Sequence, residues 1–221
     1  MANRPLTNIG EVIRNGVVFD FKNWQGGTVN ADHLPDAVAH LFSLFETNKV
    51  DYVLVGGIAL LQYVEGRNTQ DIDFIVEKSA VERLRELKVT AWDEFFARAD
   101  FEGLRVDLLL MVHPLFNRVR QAYSTVRPFE GREIRCATVE GLLLLKLFAL
   151  PSLYRGGNLD KAAIYEGDVL MLLTRSKTDP ENLLAELAPH VSSSDLSEIR
   201  KIVQELRQRI ERMQHWPEQS G

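Results

Sequence analysis

The segment from Val53 to Val76 contains two strand-like runs, and a glycine turn follows the first of them. The first run, VLV, is apolar and ends at Gly56-Gly57, and the last run, DIDFIV, alternates polar and apolar residues. Alternation with a period of two predicts a β-strand with one buried face, so Asp71 and Asp73 share the other face. Aspartate is disfavoured in strands. Two carboxylates about 4 Å apart repel by roughly 4 kcal/mol at an effective dielectric constant of about 20, so this pair on one face requires a cause.

Helical and strand-like patterns surround this segment. DAVAHLFSLFETNK has apolar residues at helical spacing, while FFARADF, Glu102-Gly103 and LRVDLLLM are typical of a β-hairpin. We predict an α+β fold in which a small mixed β-sheet flanked by helices spans residues 35–137. A C-terminal helical bundle follows over residues 138–215, and residues 1–34 form an N-terminal extension. Ser79 is the predicted N-cap of one helix, and Ser194 or Asp195 that of the last helix.

A third carboxylate, Asp107, lies in the strand-like run RVDLLLM. If this strand lies beside the strand of Asp71 and Asp73, three carboxylates meet on one face. Clusters of oxygen ligands suit Mg²⁺ or Mn²⁺, which can hold a nucleoside triphosphate and assist in-line phosphoryl transfer. Solvent at a strand end is the alternative explanation for the paired aspartates.

The glycine pair Gly56-Gly57 follows a strand and precedes a helical pattern. Glycine allows a ligand to approach the backbone closely, but taken alone the pair is more often a plain tight turn. The sequence contains neither the G-x-x-x-x-G-K-[ST] motif of P-loop proteins nor the G-x-G-x-x-G motif of dinucleotide folds. Any phosphate site in this chain therefore belongs to another class.

Taken together, Gly56-Gly57, the run R-x-T-x-D-I-D and the later Asp107 resemble the nucleotidyltransferase superfamily, which has the DNA polymerase beta-like fold. The G-G-x-A-L and R-x-T-x-D-I-D runs are most similar to the prokaryotic nucleotidyltransferases of abortive-infection and toxin–antitoxin systems. The resemblance covers residues 50–110 well and extends loosely to about residue 175. It implies that Asp71 and Asp73 bind metal and that Asp107 completes the metal site and acts as the base. Gly56 and Gly57 would line the triphosphate, although many members have serine at the second position.

Further residues have two interpretations. Arg67 would either neutralise phosphate or order its loop by pairing with Asp71 or Glu65, and Thr69 would either bind nucleotide or cap the turn. Lys146 interrupts a leucine-rich helix, so its charge must reach solvent, pair with an acid or meet the triphosphate. The toxin-like group has such a lysine, and it also has an arginine, a Lys-Asp pair and a further aspartate. Here the pair is reversed, which leaves three roles open: those of Arg155, Lys161 and Asp168.

The net charge and the composition limit the classes of partner that this protein can bind. A net charge of −5 argues against a protein that coats nucleic acid by bulk attraction. Five arginines lie against two glutamates between His113 and Arg135. A plain solvated surface is the commoner explanation of such a run, and RNA as the acceptor is the alternative that it mildly favours. The chain has no signal-like N-terminus and no apolar stretch long enough to cross a bilayer, so we predict a cytoplasmic protein without a membrane partner.

The sequence supports a main hypothesis and two alternatives. In the first, a Mg²⁺-dependent (or Mn²⁺-dependent) nucleotidyltransferase moves a nucleoside monophosphate from a nucleoside triphosphate, such as ATP, onto a hydroxyl of RNA or protein. The family resemblance adds a toxin role with an antitoxin protein as partner. The alternatives are a non-catalytic member that binds nucleotide or a partner protein, and an enzyme that modifies an antibiotic.

Overall fold

The computed structural model describes residues 34–64, 71–129 and 131–215. These residues form two compact units, which divide between Thr138 and Val139. Residues 1–34 were predicted as an N-terminal extension and lie outside the described residues except for Leu34, which begins the first helix.

The first unit contains a mixed sheet of seven strands within the described ranges. Its spatial order is β3-β4-β5-β2-β1-β7-β6. The strands are β1 (Tyr52–Val55), β2 (Asp71–Val76), β3 (Lys88–Trp92), β4 (Phe96–Phe101), β5 (Leu104–Leu110), β6 (Ser124–Phe129) and β7 (Arg132–Ala137). The helices of this unit are α1 (Leu34–Thr47), α2 (Gly56–Leu60), α3 (Lys78–Arg83) and α4 (Pro114–Ala122).

Strand β2 lies near the centre of the sheet, antiparallel to β1 and parallel to β5. The hairpin predicted around Glu102-Gly103 is confirmed, because β4 and β5 are antiparallel and Phe101 pairs with Leu104. Both turn residues have positive φ, 52° at Glu102 and 81° at Gly103. Such angles match the twist of a two-residue hairpin. The hairpin pairs β4 with β5, and β5 pairs on its other side with β2.

Helix α1 packs on one face of the sheet through its aromatic side chains. The Phe74 ring meets Phe42 and Phe45 edge-on, with ring centroids 5.7 and 5.1 Å apart. All three side chains are buried. Because successive strand residues point to opposite faces, burying Phe74 against α1 places Asp71 and Asp73 on the face away from this helix.

The second unit is helical throughout its described residues apart from short connections. Its helices are α5 (Val139–Arg155), α6 (Leu159–Arg175), α7 (Pro180–Leu187) and α8 (Ser193–Gln214), with a 3₁₀ turn at Ala188–His190. The predicted α+β class, a mixed sheet with flanking helices followed by a helical segment, is confirmed. None of the described helices is both long and apolar enough to cross a membrane.

Two predicted helix caps were wrong. Helix α3 follows Glu77, whose side chain makes no capping bond, and Ser79 lies inside the helix. In α8 the N-cap is Ser192, whose hydroxyl oxygen accepts a hydrogen bond from the Asp195 backbone N–H. Several serine and aspartate side chains are adjacent at this start, so composition alone left the capping position open by two residues.

Candidate functional site

The three predicted carboxylates lie on one face of two neighbouring strands. Asp73 and Asp107 are direct partners in the parallel pairing of β2 with β5, and Asp71 lies two residues before Asp73 on the same face. The expected adjacency of these strands is confirmed. We call these three side chains the carboxylate row. Since β2 and β5 are internal strands of the sheet, hydrogen bonds to strands on both sides fix the backbone of the carboxylate row.

Gly56 lies directly against the row. It has φ +65°, and an added Cβ atom would lie 1.9 Å from Asp73 Oδ2 and 2.3 Å from Asp73 Cγ. The backbone after β1 therefore touches the Asp73 carboxylate closely, and glycine is required both by the dihedral angle and by the space. Gly57, the other predicted phosphate-lining residue, is buried in α2.

Two arginines contact the row. Arg98 on β4 donates from Nε to Asp107 Oδ1 at 2.6 Å and from Nη2 to Asp107 Oδ2 at 3.1 Å. Arg105 Nη1 lies 3.2 Å from Asp71 Oδ1. The hydrogen bond and charge of Asp107 raise the pKa of the Arg98 guanidinium, and the charges of Asp71 and Asp73 raise it further. All three carboxylates therefore act on one guanidinium group.

The donor set of the row fits a hard divalent cation, because it consists of carboxylate oxygens on one face. As the side chains stand, however, no group of three or more His, Cys, Asp or Glu residues is arranged to hold a metal ion within 34–64, 71–129 and 131–215. Both oxygens of Asp107 are engaged by Arg98. The carboxylate oxygens and the register of the row therefore suit a cation, but Asp107 is already hydrogen-bonded to the Arg98 guanidinium.

Sequence reasoning missed both arginines, although a signal for them existed. A two-residue turn at Glu102-Gly103 fixes the hairpin register, which pairs Arg98 with Asp107. Arg105 lies two residues before Asp107 and is therefore on the same face. Extending the predicted hairpin by four residue pairs from its turn would have placed Arg98 opposite Asp107.

The leucine-rich helix α5 contains a buried ion pair with α6. Lys146 Nζ lies 2.7 Å from Asp168 Oδ2, and the exposed fractions of the two side chains are 5% and 1%. The same Nζ lies 4.0 Å from the centroid of the Tyr165 ring. Of the three possibilities for Lys146, pairing with an acid is the one observed. Contact of Lys146 with a triphosphate stays a prediction.

Replacing Lys146 by methionine is expected to lower the free energy of unfolding by about 3 kcal/mol, because the Asp168 carboxylate then stays buried without its cation. The double change Lys146→Met with Asp168→Leu should recover most of this loss. Urea unfolding followed by circular dichroism measures both. As a control, Arg155→Gln removes an exposed ion pair with Asp195 and should cost less than about 1 kcal/mol. Equal losses for Lys146→Met and Arg155→Gln would contradict this account.

The other predicted site residues have varied outcomes. Arg67 and Thr69 lie outside the described residues. Arg155 pairs with Asp195, and Lys161 Nζ lies 5.7 Å from the Tyr165 ring centroid. These contacts lie within the helical unit and give each residue a structural partner.

The arginine-rich segment is largely paired with acids from elsewhere in the first unit. Arg120 and Arg135 both contact Asp51, at 2.8 and 3.3 Å, and Arg132 contacts Glu46 at 3.4 Å. Counting charges within the segment could not identify these partners, because Asp51 and Glu46 lie far from the arginines along the chain. These three arginines bind neighbouring elements of the sheet unit together, and RNA as the acceptor stays a prediction.

The fold matches that of nucleotidyltransferases. The chain aligns with a crystal structure of ANT(2")-Ia in complex with adenylyl-2"-tobramycin at a TM-score of 0.51 and 12% identity, covering 69% of this chain and 94% of that one. It also aligns with a nucleotidyltransferase-like antigenic protein from Paracoccidioides brasiliensis at a TM-score of 0.46 and 15% identity, covering 77% and 93%. No protein-family model and no curated protein sequence matches the chain.

Proposed function

We propose that this protein is a metal-dependent nucleotidyltransferase, which moves a nucleoside monophosphate from a nucleoside triphosphate onto a hydroxyl group and releases pyrophosphate. One observation carries the proposal. Asp71, Asp73 and Asp107 share a face of two adjacent strands, at the point where Gly56 contacts Asp73. The nucleotidyltransferase fold of the chain is consistent with this chemistry.

Each residue has a role in the proposal. The carboxylate row would hold Mg²⁺ or Mn²⁺, which would supply charge stabilisation to the attacking and leaving oxygens. Asp107 would accept the proton of the acceptor hydroxyl. Gly56 and Gly57 would allow the triphosphate to approach the backbone. Arg67, Thr69 and Lys146 remain proposed nucleotide contacts.

We favour the 3′ end of an RNA or a protein side chain as the acceptor, with ATP among the donors to be tested. The support is the similarity of the G-G-x-A-L and R-x-T-x-D-I-D runs to those of the toxin-type nucleotidyltransferases. The same similarity supports a toxin role in the cytoplasm with an antitoxin protein as partner.

Antibiotic modification is the second candidate. The structure that aligns at a TM-score of 0.51 contains adenylylated tobramycin, which is an antibiotic product. An aminoglycoside is cationic, so such an acceptor would need acidic groups beside the row. This candidate uses the same carboxylates and differs in the acceptor alone.

Transfer of label from each α-³²P-labelled nucleoside triphosphate tests the proposal. The protein is incubated with Mg²⁺ in three separate reactions, which contain total RNA, a protein extract or tobramycin as the acceptor. We expect label on RNA or protein, with stoichiometric pyrophosphate and no product when EDTA is present. Label on tobramycin would favour the second candidate. If no acceptor is labelled but nucleotide raises the melting temperature, the protein binds nucleotide without catalysis and the enzyme proposal is wrong.

A further inference from the structure

The guanidinium of Arg98 occupies both oxygens of the Asp107 carboxylate. The two contacts, 2.6 and 3.1 Å, have the bidentate geometry that makes an arginine–carboxylate pair stronger than a single hydrogen bond. A divalent cation also binds through carboxylate lone pairs. The two cations therefore compete for the same oxygens of Asp107.

The two partners differ in their freedom to move. Asp107 lies on the internal strand β5, and its side chain is 17% exposed, whereas the Arg98 side chain is 51% exposed. Arginine has a long side chain that can extend into water while its strand stays in place. Exchange of partners at Asp107 therefore requires movement of Arg98 and leaves the carboxylate where it is.

We propose that Arg98 is a resident counter-ion of the carboxylate row, which a divalent cation must displace from Asp107 before it can bind. The inference rests on the proposed function, because it takes Asp107 to be a metal ligand. Arg98 lowers the affinity of the row for metal, and it screens the repulsion among the three neighbouring carboxylates when no metal is bound. Arg98 acts through Asp107, as a competitor of the metal ion for its oxygens, and does not itself touch substrate.

The opposite role is the main alternative. If Arg98 served to hold Asp107 in its metal-binding orientation, its removal would weaken metal binding. If it acted only through its positive charge, any cationic residue at position 98 would act equally. These three possibilities predict different metal affinities for the variants Arg98→Gln and Arg98→Lys.

Titration of the full chain with Mn²⁺ alone, followed by the electron paramagnetic resonance signal of free Mn²⁺, distinguishes them. We expect Arg98→Gln to bind Mn²⁺ roughly three- to tenfold more tightly than the unchanged protein, since a competing charged hydrogen-bond pair is lost. Arg98→Lys keeps the charge but loses the bidentate geometry, so it should also bind more tightly, by a smaller factor. Circular dichroism establishes that each variant is folded.

Two further variants complete the design. Arg105→Gln removes a charge that makes one contact of 3.2 Å with Asp71, and it should tighten Mn²⁺ binding less than Arg98→Gln does. Asp107→Asn should weaken binding whether residue 98 is arginine or glutamine. Weaker or unchanged binding by Arg98→Gln, or an Arg98→Lys variant that binds like the unchanged protein, would overturn the inference. Binding that is insensitive to Asp107→Asn would instead contradict the metal site of the proposed function.

Discussion

Replacing Gly56 by alanine is expected to reduce nucleotidyl transfer by about 10²-fold or more, because small displacements of a reacting group have effects of this size. The new Cβ atom would lie 1.9 Å from Asp73 Oδ2, so the Asp73 carboxylate must leave its position. The positive φ of +65° adds a backbone cost of about 1–2 kcal/mol for a residue with a side chain. Label transfer under saturating nucleotide measures the effect on kcat, and urea unfolding measures the combined cost of the clash and the backbone conformation.

Gly103→Ala is the matched control for this prediction. Gly103 also has a positive φ, +81°, but a Cβ atom there meets nothing within 4 Å. Gly103→Ala should therefore lose only the stability that the backbone conformation costs, and it should keep most of its activity. If the two alanine variants lost activity equally, backbone strain in the sheet, rather than the clash with Asp73, would be the cause.

Changing Asp73 to asparagine is expected to lower kcat by about 10³-fold or more, which corresponds to about 4 kcal/mol of activation free energy. Asp73 is the direct neighbour of Asp107 across the parallel strands and lies two residues from Asp71. Neutralising it removes one proposed metal ligand and also the repulsion with two neighbouring charges. The attraction between Asp73 and the Arg98 guanidinium is lost as well, so the free energy of unfolding should change little while activity is lost.

The control for this change is Asp51→Asn. Asp51 is also in the sheet unit, but its carboxylate pairs with Arg120 and Arg135 rather than joining the row. We expect near-normal transfer and a small loss of stability, whereas Asp73→Asn loses transfer. An Asp73→Asn variant that retains kcat would remove the carboxylate row from the proposed chemistry.

The parts of the fold that were predictable are those in which local pattern and burial agree. The alternation in DIDFIV follows from an internal strand with one face against α1, and the Glu102-Gly103 turn carries its own backbone signal. The adjacency of Asp73 and Asp107 needed a further assumption, since parallel pairing of separate strands leaves no local trace in the sequence. The similarity to known nucleotidyltransferases supplied that assumption.

Other features were hidden for physical reasons. Strand β3 is exposed at all five residues because it lies at the sheet edge, so it has no apolar alternation to detect. The partnership of Lys146 with Asp168 depends on how α5 aligns with α6, which periodicity within either helix does not define. The pairing of Asp51 with Arg120 and Arg135 likewise depends on tertiary neighbours.

The order of strands in the sheet has a consequence for the nascent chain. Asp73 is synthesised with β2, but its neighbour Asp107 arrives only with β5, after the whole β3–β4 region has been made. Parallel pairing closes a long loop and is slow compared with formation of a local hairpin. A ribosome-bound chain that ends before β5 therefore has an incomplete row, and we expect it to be catalytically silent until the β4–β5 hairpin docks.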